Sequence, residues 1–142
     1  NGEDIKKFNV KDGYTIVNAQ KVGIEFGIIT GKVSQLVKNR AEELKIKHLY
    51  QNVADKVIVL NEIMQKEKLS AEEIAYIGDD YNDLKIMKNV GLSGAPKDAA
   101  EEVLKIADFV STKNGGEGAV RDFVEFIMKK DGKLEKFFDN IK

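Results

Sequence analysis

The sequence contains no cysteine, a single proline and a single histidine. The absence of cysteine excludes disulfides, thiolate catalysis and cysteine-ligated zinc. Because His48 is the single histidine, a metal site built from several histidines of one chain is excluded as well. No apolar run approaches the roughly 20 residues that a transmembrane helix needs, and no secretory signal opens the sequence. We therefore expect a cytoplasmic protein.

The sequence also has no large excess of positive or negative charge. The chain carries 23 basic and 24 acidic residues, for a net charge of −1, so nothing indicates nucleic acid or an anionic membrane as a partner. Its 42% hydrophobic and 33% charged residues are typical of an ordinary globular protein. At 142 residues, the length is that of one domain with a self-sufficient core.

Short apolar segments alternate with amphipathic ones along the chain. Strands are predicted at residues 24–30, 48–50, 74–77 and 109–110, and helical spacing of apolar residues fills most of the intervals between them. This alternation predicts an α/β fold: an open parallel sheet with helices on both faces.

The two ends of the chain differ from this pattern. Alternation at residues 5–8 predicts the return strand of a β-hairpin. Residues 134–142 are charged, with isolated apolar residues at Leu134, Phe137, Phe138 and Ile141. We expect one domain over residues 1–133 and a C-terminal tail with a few apolar anchors over residues 134–142.

Three carboxylates follow one predicted strand directly. Asp79, Asp80 and Asp83 come just after Gly78, at the carboxyl end of a strand, where ligands of parallel sheets collect. Hard oxygen ligands of this kind suit Mg²⁺, which shares its coordination sphere with water and phosphate. The alternative is a solvated acidic loop in which Asp80 caps the next helix.

Two further residues could bind an anion. The hydroxyl of Thr30, with the amides of Gly31 and Lys32, could hold a phosphate at a helix start, or Thr30 could be a helix cap. Lys56 lies in the first turn of a predicted helix, where it opposes the helix dipole. This position indicates that Lys56 neutralises an anion, although a solvated surface lysine remains an alternative.

Residues near the N-terminus give a third group. Residues 9–14 join the predicted return strand to the first helix, so Asp12 is either a helix cap or part of a polar loop that lines a substrate pocket. Arg40 borders an apolar helix face. If it is partly buried there, it would suit a carboxylate or phosphate; the alternative is an exposed helical arginine.

The order of these signals resembles that of a known phosphatase superfamily. Thr30, Lys56 and then Gly78-Asp79-Asp80-x-x-Asp83 resemble the second, third and fourth motifs of the haloacid dehalogenase (HAD) phosphatases. Within them, the chain to about Lys133 resembles the 3-deoxy-D-manno-octulosonate (KDO) 8-phosphate phosphatases. Five segments carry this resemblance, at residues 8–14, 28–32, 48–51, 75–80 and 115–121.

The resemblance implies a HAD-like (Rossmann-type) fold and a Mg²⁺-dependent phosphatase of lipopolysaccharide biosynthesis that acts on KDO 8-phosphate. It implies that Asp79 binds Mg²⁺ directly, with Asp80 and Asp83 in supporting or water-mediated roles. Thr30 would then hydrogen-bond the transferring phosphoryl group and Lys56 would neutralise its charge.

The resemblance also implies substrate contacts and an assembly. The implied substrate residues are Asn9, Val10, Lys11, Asp12, Gly13, Lys32 and Arg40. The family usually has arginine where this chain has Lys32, which keeps the charge but loses bidentate geometry. The assembly would be a homotetramer in which the C-terminal tails, residues 129–142 here, reach neighbouring active sites.

The first motif of the family, Asp-x-Asp-Gly-Val, has no counterpart among residues 1–142. In the family, its first aspartate attacks phosphorus to form an aspartyl-phosphate, and its second is the general acid and base. We expect the native protein to have residues before Asn1 that carry this motif on an apolar strand.

Other functions remain open at this point. One is a phosphatase that acts on a sialic-acid-like nonulosonate 9-phosphate. Such a phosphatase can also be a domain fused behind an acylneuraminate cytidylyltransferase. The basic residue Lys32 slightly favours KDO 8-phosphate as the substrate. Another, of a different class, is a non-catalytic module for sugar-phosphate binding or assembly. A phosphate-accepting receiver domain fits less well, because its acidic pair would come early in the chain and its lysine late.

Overall fold

The computed structural model describes residues 10–142, with side chains from Asp12 onwards. Within this range the helices are α1 Val10–Gln20, α2 Gln35–Glu43, α3 Lys56–Glu67, α4 Leu84–Met87, α5 Glu101–Ile106, α6 Ala119–Lys130 and α7 Leu134–Ile141. The strands are β1 Gly27–Ile29, β2 His48–Tyr50, β3 Ala75–Ile77, β4 Leu92–Ala95 and β5 Phe109–Val110. Short 3₁₀ turns occur at Ala71–Glu73 and Tyr81–Asp83.

All strand pairs are parallel, which confirms the predicted α/β class. Strand β1 pairs with β2, with Gly27 opposite His48, and the second sheet has the order β3-β4-β5. Within residues 10–142 the strands form two sheets, and neither β1 nor β3 has a pairing partner along its other edge. The predicted hairpin strand at residues 5–8 lies outside the described residues.

Helical spacing of apolar residues predicts that one face of the second helix carries Val33, Leu36, Val37, Ala41 and Leu44, and the structure buries only the last three of them. Ser34 caps α2, since its Oγ accepts a hydrogen bond from the Val37 N–H at 3.3 Å. Val33 therefore precedes the helix and is 71% exposed. Leu36 is 48% exposed, because one position along a helix turns a side chain by about 100° away from its neighbour Val37. Val37 itself is buried, as predicted.

Residues 10–14, for which a polar loop is one of the two expectations, form the start of α1, which begins at Val10. Asp12 is buried, and its Oδ1 accepts a hydrogen bond from the Arg121 backbone N–H at 2.9 Å. Arg121 is the third residue of α6, so Asp12 caps α6 from another helix rather than capping its own. Burial raises the pKa of Asp12, and the nearby Asp122 carboxylate raises it further, while the hydrogen bond and charge of Arg121 lower it.

One core cluster joins α1, α6 and α7. Its buried members are Ala19, Val124, Met128 and Phe137. Leu134, Phe138 and Ile141 pack around this cluster, so the predicted anchors do hold the end of the chain. They do so as part of helix α7. No helix within residues 10–142 is long and apolar enough to cross a membrane.

Replacing Phe137 with alanine should lower the free energy of unfolding by about 3 kcal/mol, because a large buried ring is lost and a cavity remains. Urea denaturation monitored by circular dichroism measures this change. Ile141→Ala, on the same helix but only partly buried, is the matched control and should cost about 1 kcal/mol. Equal, small losses for both variants would show that α7 does not dock on the core.

Candidate active site

A cavity of about 270 Å³ lies where the carboxyl ends of β1 and β3 meet the start of α3. Ile29 of β1 and Ile77 of β3 both line it, so the cavity touches both sheets. Its polar wall consists of Lys56, Tyr76, Asp79 and Asp83, and the remaining wall residues are Gly78, Pro96, Gly115, Ala119 and Val120. The structure thus brings together three of the predicted site residues.

The acidic loop after β3 folds back on itself at Gly78. A Cβ atom at Gly78 would lie 2.5 Å from the Asp83 Cβ, so only glycine allows this approach. Asp83 Oδ2 then accepts hydrogen bonds from the backbone N–H groups of Asp79 at 2.9 Å and Asp80 at 3.1 Å. The Asp83 side chain therefore fixes the backbone on which the other two carboxylates stand.

The second carboxylate oxygen of Asp83 connects the loop to α3. Asp83 Oδ1 accepts from Lys56 Nζ at 2.7 Å and from the Tyr76 hydroxyl at 2.6 Å. Lys56 Nζ also donates to the Tyr76 hydroxyl at 3.2 Å. The side chains of Lys56 and Asp83 are only 10% and 5% exposed. This ion pair is buried and hydrogen-bonded on both sides, so its geometry is fixed.

The start of α3 explains how Lys56 reaches the pair. Asp55 caps the helix, since its Oδ1 accepts from the Val57 N–H at 3.0 Å. Lys56 is therefore the first residue of α3, and its side chain extends toward the strand ends rather than along the helix surface. Lys56 is predicted to neutralise an anion, and the anion that it contacts in the structure is the Asp83 carboxylate.

The pKa values of Asp79 and Asp83 are shifted in opposite directions. Burial alone would raise the pKa of Asp83, but hydrogen bonds from Lys56, Tyr76 and the two loop amides together hold that pKa below 3.8, the ordinary value. Burial raises the pKa of Asp79, and the charges of Asp83 and Asp80 add to this effect. Burial and the Asp83 carboxylate likewise raise the pKa of the Tyr76 hydroxyl. The positive charge of Lys56 is thus neutralised by Asp83, so the negative charge of Asp79 has no cation of its own in the cavity wall.

Asp80 stands on the outer side of this loop. Its side chain is exposed and accepts a hydrogen bond from the Tyr81 N–H at 2.7 Å. It caps the short 3₁₀ turn Tyr81–Asp83, which is the structural role that the sequence left open. Its role at a metal stays a prediction.

Thr30 lies at the carboxyl end of β1, as predicted. Its Oγ1 accepts from the Lys32 N–H at 3.2 Å, which closes a small turn, and its backbone N–H and C=O bond to Tyr50 and Val53. The residue before it, Ile29, lines the cavity, but Thr30 and Lys32 do not.

The predicted substrate residues near the N-terminus lie apart from the cavity wall. Gly13 packs against the guanidinium of Arg40, where a Cβ would overlap Nη2. Arg40 Nη1 lies 3.2 Å from Glu43 Oε2. Val10 and Lys11 lie in the first turn of α1, and Asn9 is outside the described residues. Contact of these residues with a substrate stays a prediction.

Tyr76 is a site residue that the sequence analysis missed. It was assigned only to a strand, yet its hydroxyl touches both members of the buried ion pair. A signal was present: a tyrosine in a short apolar strand needs a hydrogen-bond partner for its hydroxyl. The partners come from 7 and 20 positions away in the sequence, so only the fold shows which they are.

The cavity can bind two species, a divalent cation and an anion. Oxygen ligands with excess negative charge at Asp79 suit a hard divalent cation such as Mg²⁺. An ammonium group at the wall of the same cavity suits an anion, and a phosphate beside a divalent cation meets both requirements. The site therefore has the charges needed to bind a phosphate monoester together with a metal ion.

Comparisons with known proteins agree with this chemistry. A family model described as haloacid dehalogenase-like hydrolase matches residues 46–124, more than half of the chain. The 3-deoxy-D-manno-octulosonate 8-phosphate phosphatase of Escherichia coli is 42% identical over 136 residues, which are 96% of this chain and 72% of that protein.

Solved structures of such phosphatases have the same fold. One from Yersinia pestis superposes with a TM-score of 0.89 at 41% identity, over 92% of this chain and 71% of that one. One from Moraxella catarrhalis, in complex with magnesium, phosphate and KDO, superposes with a TM-score of 0.92 at 35% identity, over 97% and 79% of the two chains.

Proposed function

Because the chain belongs to the 3-deoxy-D-manno-octulosonate 8-phosphate phosphatase family of haloacid dehalogenase-like hydrolases, we propose that it hydrolyses KDO 8-phosphate to KDO and phosphate, with Mg²⁺ as cofactor. The observation that carries this proposal is the cavity at the strand ends, where the buried Lys56–Asp83 pair lies beside Asp79. A phosphate monoester is the substrate class that such a combination of charges recognises.

The proposed metal ligands are Asp79, directly, and Asp80, through water. The fit rests on the donor set: the raised pKa of Asp79 reflects burial and neighbouring negative charge that a cation would neutralise. When bound, Mg²⁺ would supply positive charge beside the phosphoryl oxygens. Asp83 would act as a positioning residue, because both of its oxygens already hold Lys56, Tyr76 and the loop amides.

In this proposal, the other residues act on the phosphoryl group and on the sugar. The ammonium of Lys56 neutralises developing charge and the hydroxyl of Thr30 donates a hydrogen bond to a phosphoryl oxygen. Lys32 and Arg40, with Asn9, Val10, Lys11 and Gly13, are proposed to contact the sugar acid. Asp12 holds α6 through Arg121, so we assign it to positioning of that helix.

The proposed nucleophile is an aspartate on a strand outside residues 1–142, as the family resemblance implies. Such a strand has a place to pair: β1 and β3 each have an edge without a partner within residues 10–142, and Ile29 and Ile77 border the same cavity. The aspartate would attack phosphorus, the sugar oxygen would leave with a proton from a general acid, and water would then hydrolyse the aspartyl-phosphate.

Phosphate release by the product of the complete reading frame tests the proposal. With Mg²⁺ present, kcat/KM for KDO 8-phosphate should exceed that for a nonulosonate 9-phosphate by about tenfold or more, a difference of about 1.4 kcal/mol, and EDTA should abolish release. The reverse preference would make the nine-carbon sugar the substrate. No release from either sugar, with KDO 8-phosphate still bound in calorimetry, would make the protein a binding module.

The proposal also covers the oligomeric state, the location and the pathway of the enzyme. We propose a homotetramer in the cytoplasm that acts in lipopolysaccharide biosynthesis, as the family resemblance implies. Light scattering after size exclusion measures the mass, and a monomer at micromolar concentration would contradict the tetramer.

A further inference from the structure

Three potential metal ligands converge at the edge of the β1–β2 sheet opposite to Thr30. Glu25 precedes β1 by two residues, His48 is the first residue of β2, and Glu67 is the last residue of α3. One ligand atom from each lies within 4.8 Å of the others. They stand at the amino ends of the strands, whereas the active-site cavity lies at the carboxyl ends, so this cluster is separate from the proposed Mg²⁺ site.

His48 is the central member of the cluster. Its strand partner is Gly27, and a Cβ there would lie 3.1 Å from the His48 Cβ, so the glycine makes room for the histidine. His48 is only 8% exposed, and within residues 12–142 its ring makes no hydrogen bond and no ion pair. The ring nitrogens therefore remain available as metal ligands, and one carboxylate oxygen from each of Glu25 and Glu67 lies within 4.8 Å of a ring nitrogen.

We propose that Glu25, His48 and Glu67 bind a divalent ion of the zinc class, which nothing in the phosphatase reaction requires. Such an ion would give the buried imidazole its partner and would neutralise two carboxylates that otherwise repel each other. Lys47 is the nearest alternative: its Nζ lies 3.9 Å from Glu25, with the two side chains 66% and 62% exposed. A pair this exposed is weak, and it leaves Glu67 and His48 without a partner.

The ligand types select the metal. One imidazole and two carboxylates suit Zn²⁺ and its neighbours in the first transition row, and they do not suit Mg²⁺, which prefers oxygen alone. Ligands at about 2.1 Å from a tetrahedral ion lie about 3.4 Å apart, so the three atoms, which lie within 4.8 Å of one another, need to approach by up to about 1.4 Å. Glu25 is exposed and can rotate to do so, and water would complete the coordination. The ion would link the segment before β1 and the first residue of β2 to the last residue of α3 through its ligands.

Zinc binding to the product of the complete reading frame tests the site, in an Asp79→Asn/Asp80→Asn background that weakens binding at the acidic loop. Equilibrium dialysis with metal analysis should find about one equivalent of Zn²⁺. Glu25→Gln and Glu67→Gln should each weaken binding about tenfold or more. The matched control is Glu62→Gln, which removes the same charge from an exposed position of α3 and should leave binding unchanged.

Cobalt supplies a second readout that identifies the ligands. Co²⁺ at this site should give visible absorption bands of four- or five-coordination, and His48→Gln should abolish them. Zn²⁺ should raise the midpoint of thermal unfolding by about 5 °C in the background chain and not in the Glu67→Gln chain. Equal Zn²⁺ affinity in the Glu67→Gln and Glu62→Gln chains would overturn the proposal, whether or not the His48 variant folds.

Discussion

Replacing Asp79 with asparagine should lower phosphate release from KDO 8-phosphate by about 100-fold or more and remove its dependence on Mg²⁺. An amide is a weak ligand for a hard cation, whereas the carboxylate of Asp79 carries the excess negative charge of the site. Asparagine has the same shape, and the Asp79 backbone N–H that donates to Asp83 is unchanged. Steady-state kinetics across a Mg²⁺ titration measure the effect; retained Mg²⁺-dependent turnover would remove Asp79 from the metal site.

The same substitution should slightly stabilise the metal-free chain, by about 0.5 kcal/mol at neutral pH, since the half-exposed carboxylate is partly screened by water. The sign follows from the pKa of Asp79, which folding raises above 3.8, through burial first and neighbouring charges second. The ionised Asp79 carboxylate therefore lowers the free energy of unfolding by its full amount above its pKa in the folded chain, and this destabilisation vanishes below pH 3.8, the ordinary pKa. Parent and variant should therefore converge in stability as the pH falls through that window.

Mg²⁺ should reverse the order of stability, because it binds only the folded parent chain. Glu62→Gln is the matched control, since Glu62 is exposed on α3 and its loss of one negative charge should change neither turnover nor stability. Thermal unfolding with and without Mg²⁺ measures both effects. An Asp79→Asn chain that is less stable than the parent without Mg²⁺ would show that the carboxylate supports the loop rather than straining it.

The position of the acidic loop could be predicted because it depends on local signals. A short apolar strand, Gly78 and three carboxylates are contiguous in the sequence, and strand ends collect ligands in any parallel sheet. Lys56 carries a weaker local signal: a lysine in a first helical turn is out of place for a surface residue, yet the local sequence also fits a solvated lysine, and it is the family resemblance that implies a role at the site.

Contacts between distant segments could not be predicted. Asp12 caps a helix 109 positions away, and nothing near Asp12 distinguishes it from the cap of its own helix. Tyr76 and Lys56 meet on Asp83 because the tertiary fold brings the first residue of α3 to β3 and to the loop after it. Strand pairing is a further example, since periodicity predicts strands but not which of them pair.

Replacing Lys56 with methionine should lower the free energy of unfolding by about 3 kcal/mol at pH 7, because a buried carboxylate loses its counter-charge. In the parent, the pKa of Asp83 lies below 3.8, since its hydrogen bonds outweigh burial. Its stabilisation is therefore present above 3.8 and lost as the pH falls through the folded pKa. In the variant, burial favours protonation instead, so its deficit should be largest at neutral pH and shrink toward pH 4.

Lys85→Met supplies the control for loss of a lysine charge. Lys85 Nζ lies 3.7 Å from Asp55, but its side chain is 74% exposed, so this substitution should cost no more than about 0.5 kcal/mol. Urea denaturation of both variants from pH 4 to pH 8 gives the comparison. Equal costs for Lys56→Met and Lys85→Met at pH 7 would show that the Lys56–Asp83 pair is not buried.

A double variant separates the structural role of Lys56 from its proposed role in the reaction. Lys56→Met/Asp83→Asn removes both buried charges, so it should be more stable than Lys56→Met alone at neutral pH. Its turnover should stay as low as that of the single variant, because the ammonium that neutralises phosphoryl charge is still missing. Recovery of turnover together with stability would mean that Lys56 acts only by holding the loop, and that another group meets the charge of the phosphate.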